Sequence, residues 1–294
     1  MINNAPETSV NEPQHTLIQV IRGRLASSRW YLHLLLLIIV LFMAFPLLYA
    51  MLVSTQSNAE MFRLQMTPGD SFGINLTAVF DRDIARLMFN TFAVAGMITL
   101  GKVILSLFGG MALVHFRFPG KNIVFVLILA ALMIPGEVTV IALFRLVAIQ
   151  LGWGDSWTAL VVPLLATPTG IFLFRQHFAG ITPELSEAAQ IDGATPLQFL
   201  FHILLPVSRN TVAALVVIMF IGAWNSYLWP LLIITSPKKQ MIQVALSSLD
   251  AGVEIGATFG PIMLGAVIAS IPPITVFVLM QKQFLQGFAL TRNK

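Results

Sequence analysis

The sequence predicts an all-α integral membrane protein, on three observations. Six apolar runs lie at about residues 32–53, 88–113, 122–143, 158–175, 210–234 and 261–281, each near the ~20 residues that carry a helix across a bilayer. Hydrophobic residues make up 57% of the chain and charged residues 10%, with a mean hydropathy of +0.84, far from soluble averages. Inside the runs Leu, Ala, Val and Ile follow one another without period-two alternation, so helices and not a barrel satisfy the backbone in lipid.

Two parts are expected: a polar tail over residues 1–30, aperiodic except for a short amphipathic piece near Leu17 to Ile21, and a six-helix membrane domain over 31–294. The first run is too long for the apolar core of a cleaved signal, and no small-x-small site ends it. Later runs carry Pro46, Pro135, Pro163, Pro168, Pro230 and the pair Pro272-Pro273. Each removes a backbone donor and is expected to kink its helix, which suits a moving gate but is also common in membrane helices.

Charge sets the orientation. Arg22, Arg24 and Arg29 precede the first run, Lys282, Arg292 and Lys294 follow the last, and an even number of spans puts both ends on one side. With the termini cytoplasmic, Arg117, Lys121, Arg175 and Arg209 fall inside as well. Outside fall Arg63, Arg82, Arg86, Arg145, Lys238 and Lys239, together with most of the carboxylates. The positive-inside rule therefore predicts cytoplasmic termini, and the basic pI of about 9.7 reports topology rather than affinity for nucleic acid.

Between the fourth and fifth runs lies a polar interlude, residues 182–206. Thr182-Pro183-Glu184 is a helix start, with Thr as N-cap and Pro at the first helical position. Gly193 stops that helix, because glycine takes the left-handed conformation without steric cost. Thr195 and Gln198 then restart a helix with the capping-box pattern, and Pro206 closes it. The first helix is expected to present Leu185, Ala188 and Ala189 on one face, small enough for the groove of another protein.

Other chemistry is thinly represented. The chain has no cysteine, which excludes disulfides and thiol catalysis. Its five histidines, His15, His33, His115, His177 and His202, show no ligand spacing. Gly96 to Val103 matches most of a phosphate-binding loop, but Val103 stands where a magnesium-binding hydroxyl is required and the segment lies inside a span. Close helix packing explains these glycines better. Lys102 either snorkels to the nearer interface or lines a polar pathway, and Glu137, after the Pro135-Gly136 break, is a pathway candidate.

The fifth run ends in Trp224-Asn225-Ser226-Tyr227-Leu228-Trp229-Pro230. Two readings compete. Aromatic residues at a span end form an interfacial belt. Aromatic faces beside amide and hydroxyl groups also hold polyhydroxylated solutes, so Trp224, Asn225, Tyr227 and Trp229 are substrate-pathway candidates together with Lys102 and Glu137.

Glu187-Ala188-Ala189, then Asp192-Gly193-Ala194, then Ile203-Leu204-Leu205-Pro206 with nine residues between Gly193 and Ile203, resemble the loop by which permeases of bacterial ABC importers dock on their ATPases. Most of the membrane portion resembles the shorter permease of carbohydrate-type importers, nearest the glycerol-3-phosphate branch and related to the maltose importer's. The resemblance is carried by Ile98 to Lys102, Phe116 to Pro119, Phe172 to Gln176 and Trp224 to Thr235. It implies a type I permease fold in the bacterial inner membrane. Implied partners are a second related permease, a homodimeric cytoplasmic ATPase and an extracytoplasmic solute-binding protein. It further implies coupling through Glu187, Ala188, Ala189, Asp192, Gly193, Ala194, Ile203, Leu205 and Pro206. No cofactor is then expected on this chain, ATP and magnesium belonging to the ATPase, and no enzymatic activity. A channel or a six-span membrane enzyme is the alternative, but neither explains a docking loop, and no catalytic constellation is visible.

Overall fold

The structure, a computed structural model, describes residues 30–250 and 259–289. The polar tail, its amphipathic piece, Glu254, Arg292 and Lys294 lie outside these residues. Fourteen helices are labelled here in chain order: α1 (Trp30–Val53), α2 (Asn58–Phe62), α3 (Phe72–Phe80), α4 (Ile84–His115), α5 (Lys121–Leu132), α6 (Gly136–Phe144), α7 (Trp157–Val161), α8 (Pro168–Ala179), α9 (Pro183–Ile191), α10 (Pro196–Val207), α11 (Arg209–Trp224), α12 (Leu228–Ile233), α13 (Ile242–Asp250) and α14 (Phe259–Ala289). Among the described residues only helices and turns occur.

The contacts divide the chain into residues 1–51 and 52–294. In the first unit α1 is apolar on every side, as a helix meant for lipid is. Pro46 sits inside it without ending it, and Phe45 stacks on Tyr49 at 5.9 Å. In the second unit α4 is the axis. Its 32 residues give about 48 Å at 1.5 Å per residue, and α8 and α11 pack along it, with α14 behind α11.

Lipid tails are as apolar as leucine, so burial alone does not draw these helices together, and small residues that permit close approach do. On α4 a Cβ added at Gly110 would lie 2.6 Å from Phe174 Cβ and 3.0 Å from Arg175 N, and one at Gly109 would lie 3.0 Å from Ile171 Cγ1. On α8 Gly170 lies against Ser106 of α4 in the same way. Gly101 abuts Leu165, as close packing requires, whereas Gly96 has open space beside it.

The predicted spans correspond unequally to these helices. Among the described residues four helical runs are long and apolar enough to cross a membrane, namely α1, α4, Trp157–Ala179 and α14, and a fifth results if α10 and α11, bent by 82°, count as one. The third predicted span is broken: α5 ends before Met133-Ile134-Pro135, and α6 continues into a π-helical turn, Arg145–Gln150. Pro135 cannot donate and pushes Ile134 out of the helical region. Pro272-Pro273, in contrast, lie inside an unbroken α14.

Residues 52–83 are stapled by side-chain amides. Gln56 Nε2 donates to the carbonyls of Gln65 and Thr67 at 2.7 and 2.8 Å, and Asn75 Nδ2 to those of Ser54 and Gln56 at 2.9 and 3.0 Å. A second joint lies between distant loops. The Asp155 carboxylate accepts from the backbone N–H groups of Thr235 and Ser236, at 3.1 and 2.9 Å, and from the Ser236 hydroxyl at 2.6 Å, and pairs with Lys239 at 2.9 Å. The Ser236 bonds first, then Lys239, hold this carboxyl well below its ordinary 3.8. A depressed carboxylate stabilises the fold above its unfolded pKa and loses that contribution as pH falls through the folded value. Asp155→Asn is therefore expected to lower the melting temperature of the solubilised protein at neutral pH, and the difference from the parent should shrink below about pH 4. Equal melting temperatures at pH 7 would show that the joint contributes nothing.

Candidate functional site

Thr182 precedes α9 in an extended conformation, with Pro183 at the first helical position, although its hydroxyl makes no capping bond. At the other end Gly193 has φ +72°. Ala194 N–H donates to the Ala189 carbonyl at 2.9 Å and Gly193 N–H to Gln190 at 3.1 Å. These are the two bonds of a Schellman cap, which needs a left-handed residue at that position. Two residues later the capping box forms: Gln198 N–H donates to Thr195 Oγ1 at 3.3 Å, and Thr195 N–H to Gln198 Oε1 at 2.8 Å.

The α9–α10 pair packs one face on the chain itself. Ala189, Phe199, Leu200 and Leu204 are buried in one cluster with Met111 of α4 and Phe174 and Phe178 of α8. His115, the last residue of α4, sets its ring edge-on to Phe199 at 5.0 Å between centroids. Lys121 caps that end of α4, donating to the carbonyls of Val114 and Phe116 at 3.1 and 3.0 Å, where a cation also suits the helix dipole.

This packing corrects the face expected from sequence. Ala189 is 4% exposed and faces the chain's own core, with Leu185 half-buried one turn before it. Ala188 points outward with Glu184 and Ile191, the last being 86% exposed. Across the turn Leu197 and Phe201 are 57% and 52% exposed, and Glu187, Asp192 and Gly193 are exposed beside them. The outer surface thus carries three large exposed apolar side chains, Ile191, Leu197 and Phe201, on a segment that also exposes Glu184, Glu187 and Asp192, and sequence reasoning missed all three. No local pattern marks them, because the side of α9 that faces out is set by the packing of Ala189 against Phe174 and Phe178. Ala194, Ile203 and Leu205 are half-buried and Pro206 is exposed.

Pro206 does not close the second helix. α10 contains a π-helical turn, Leu200–Leu204, and runs to Val207, and the chain turns at Ser208, which is fully buried. Pro206 still falls in the first turn of the segment Leu205–Val207. Beyond the corner, Thr211 Oγ1 and His177 Nδ1 lie 3.2 Å apart and tie α11 to α8. Arg175 of α8 stacks its guanidinium 4.1 Å from the Phe125 ring centroid of α5. The helix pair is therefore seated on the ends of α4 and α8 and continues through one bend into α11.

The pathway candidates are not gathered into one site. Trp224 is 1% exposed, donates from Nε1 to the Ala269 carbonyl of α14 at 3.1 Å, and stacks on Phe220. Trp229 is buried in a different cluster, with Val94 and Ile98 of α4. Asn225 and Tyr227 are exposed, the latter 42%. Lys102 is half-buried on α4, and Glu137 lies in the first turn of α6.

Residues 103–289 match the family model of the binding-protein-dependent transport system inner membrane component. The sn-glycerol-3-phosphate transport system permease protein UgpE of Agrobacterium fabrum is 37% identical over 276 residues, covering 90% of this chain and 98% of that protein. That of Rhizobium meliloti is 37% identical over 89% of this chain and 96% of that protein. A solved bacterial ABC transporter involved in import of the acidic polysaccharide alginate contains a chain of the same fold, with a TM-score of 0.67 and 22% identity over 94% of this chain and 100% of that one. Such relatives are permease subunits and not enzymes. On this match and these identities the chain belongs to the family of inner-membrane permease components of binding-protein-dependent transport systems.

Proposed function

We propose that this chain is the shorter of two related permeases that import glycerol-3-phosphate, or a related glycerol derivative or sugar, using ATP hydrolysed by a cytoplasmic ATPase dimer. Six crossings with both termini in the cytoplasm put the α9–α10 pair on the ATPase side, the broken α5–α6 segment making one crossing. A binding protein delivers the solute from the other face. ATP binding closes the ATPase dimer, and the pair, gripped at its outer surface, swings α11 through the Ser208 bend. Permease relatives named for glycerol-3-phosphate, at 37% identity over nine-tenths of the chain, support the substrate class.

The observation that carries this reading is the exposure of Ile191, Leu197 and Phe201 on a capped helix pair whose other face is anchored to α4 and α8. Large exposed apolar residues on a polar segment mark a protein contact. Ile191→Asp touches nothing inside the chain, and a buried apolar anchor at an interface contributes about 2 kcal/mol or more. The variant is expected to reach the membrane at parental levels yet to retain the ATPase about thirtyfold less on affinity purification, with uptake of labelled glycerol-3-phosphate lost in proportion. ATPase retention equal to the parent's would refute the docking role. Parental docking and uptake of a labelled sugar, but not of glycerol-3-phosphate, would move the substrate alone.

A further inference from the structure

At the end of α4 opposite the α9–α10 pair there is a cavity of about 350 Å³. Val79 of α3, Ile84 and Leu87 of α4, Ile242 and Leu246 of α13 and Gly265 of α14 line it, so it is apolar within. Arg82 is the charged group of that lining. Its neighbour Arg86 pairs with Asp83 at 3.0 Å, but among the described residues no carboxylate pairs with Arg82, and its side chain is exposed. Of the uncharged polar side chains of the lining, Gln240 and Ser248 are engaged within the chain and the Thr235 hydroxyl is left. Gln240 Nε2 donates to the Ile234 carbonyl at 3.1 Å while its Oε1 accepts from Met241 N–H at 3.0 Å, and Ser248 donates to the Ala245 carbonyl at 2.7 Å.

This combination selects a ligand class. A sugar or polyol needs several donors and acceptors to replace its water, and the lining offers few. A free phosphate ester would leave the apolar wall unused. An amphiphile with one anionic group and a hydrocarbon chain uses both. Phe80, next in sequence to Val79, and Phe89, two residues after Leu87, are 55% and 65% exposed, as side chains facing lipid are. A basic group near a membrane surface attracts an anionic head group by about 1 kcal/mol, or about fivefold, and bacterial phospholipids with anionic head groups are present in both leaflets.

We propose that the cavity holds an acyl chain of an anionic phospholipid whose phosphate is bound by Arg82. The lipid fills the space between α3, α13 and α14 and tethers α13 to the start of α4, so it is a structural ligand of the permease at the end remote from the ATPase. The site depends on the membrane setting of the family and not on which solute is carried.

The test is native mass spectrometry of the purified, delipidated transporter complex titrated with phosphatidylglycerol and with phosphatidylethanolamine. The parent is expected to retain phosphatidylglycerol preferentially. Arg82→Gln, at an exposed side chain, should weaken that retention about fivefold, the effect of one basic group at a membrane surface, and weaken retention of phosphatidylethanolamine, whose ammonium offsets its phosphate, by less. Arg86→Gln, whose guanidinium is already paired, should behave as the parent. Ala245→Leu, at a residue of α13 that also lines the cavity, should fill it and weaken retention of both lipids. Should Ala245→Leu fail to assemble, Arg82→Gln alone decides. Parental phosphatidylglycerol retention in Arg82→Gln overturns the proposal, as does displacement of the lipid by free glycerol-3-phosphate, which would make the cavity a solute site.

Discussion

Gly193→Val is expected to abolish uptake while leaving the protein in the membrane at parental levels, and Gly193→Asn to transport nearly normally. The contrast isolates backbone conformation from space. A Cβ built on Gly193 meets nothing within 4 Å, so neither variant clashes. What differs is the cost of φ +72°. An ordinary L-residue held there loses roughly 1–2 kcal/mol, a β-branched residue is a poorer fit still, and asparagine adopts this region readily. Valine would release the turn, and with it the two capping bonds from Ala194 and Gly193. About 1.4 kcal/mol corresponds to a tenfold change in population, so the capped turn would be about tenfold less populated relative to any form without it. ATP-driven uptake into proteoliposomes should fall at least tenfold in the valine variant, with the ATPase no longer stimulated by loaded binding protein. Uptake in Gly193→Val equal to that in Gly193→Asn would show that the turn does not transmit force.

That turn was legible because its determinants are local. Thr182-Pro183, Gly193, and Thr195 with Gln198 act within one or two turns of themselves, and the caps form at those residues, only the Thr182 hydroxyl failing to bond. Each apolar run likewise announced a helix, because lipid forces the backbone to satisfy itself. What sequence could not supply was orientation. Which side of α9 faces out depends on Ala189 packing against Phe174 and Phe178, which reach it from another helix. Trp224 and Trp229 read equally well as a belt or as a binding surface, and the structure buries both in helix contacts made with α14 and α4. The Asp155 joint spans 80 residues of sequence, and no local pattern foretells a partner at that distance.

The seat on which the helix pair rests makes a second large effect expected. Gly110→Leu should prevent stable packing of α4 on α8, whereas Gly96→Leu on the same helix should be tolerated in this chain. At Gly110 the clash begins at Cβ, 2.6 Å from Phe174 Cβ and 3.0 Å from the Arg175 backbone nitrogen, and neither can swing away. Phe174 is fully buried and stacked on Phe178 at 5.6 Å, so it has no free rotamer. Overpacking of this kind costs about 3 kcal/mol when the backbone must move, and no hydrophobic gain in lipid offsets the separation of the helices. At Gly96 nothing lies within 4 Å, and leucine has the better helix propensity. Because Phe174 and Phe178 share a cluster with Ala189, Phe199 and Leu204, parting α4 from α8 also unseats α9 and α10. The Gly110 variant should therefore lose its sharp thermal transition in detergent-based melting and its ATPase on purification together. A Gly110→Leu protein that melts at the parental temperature would mean that the helices are not held at this distance by their glycines.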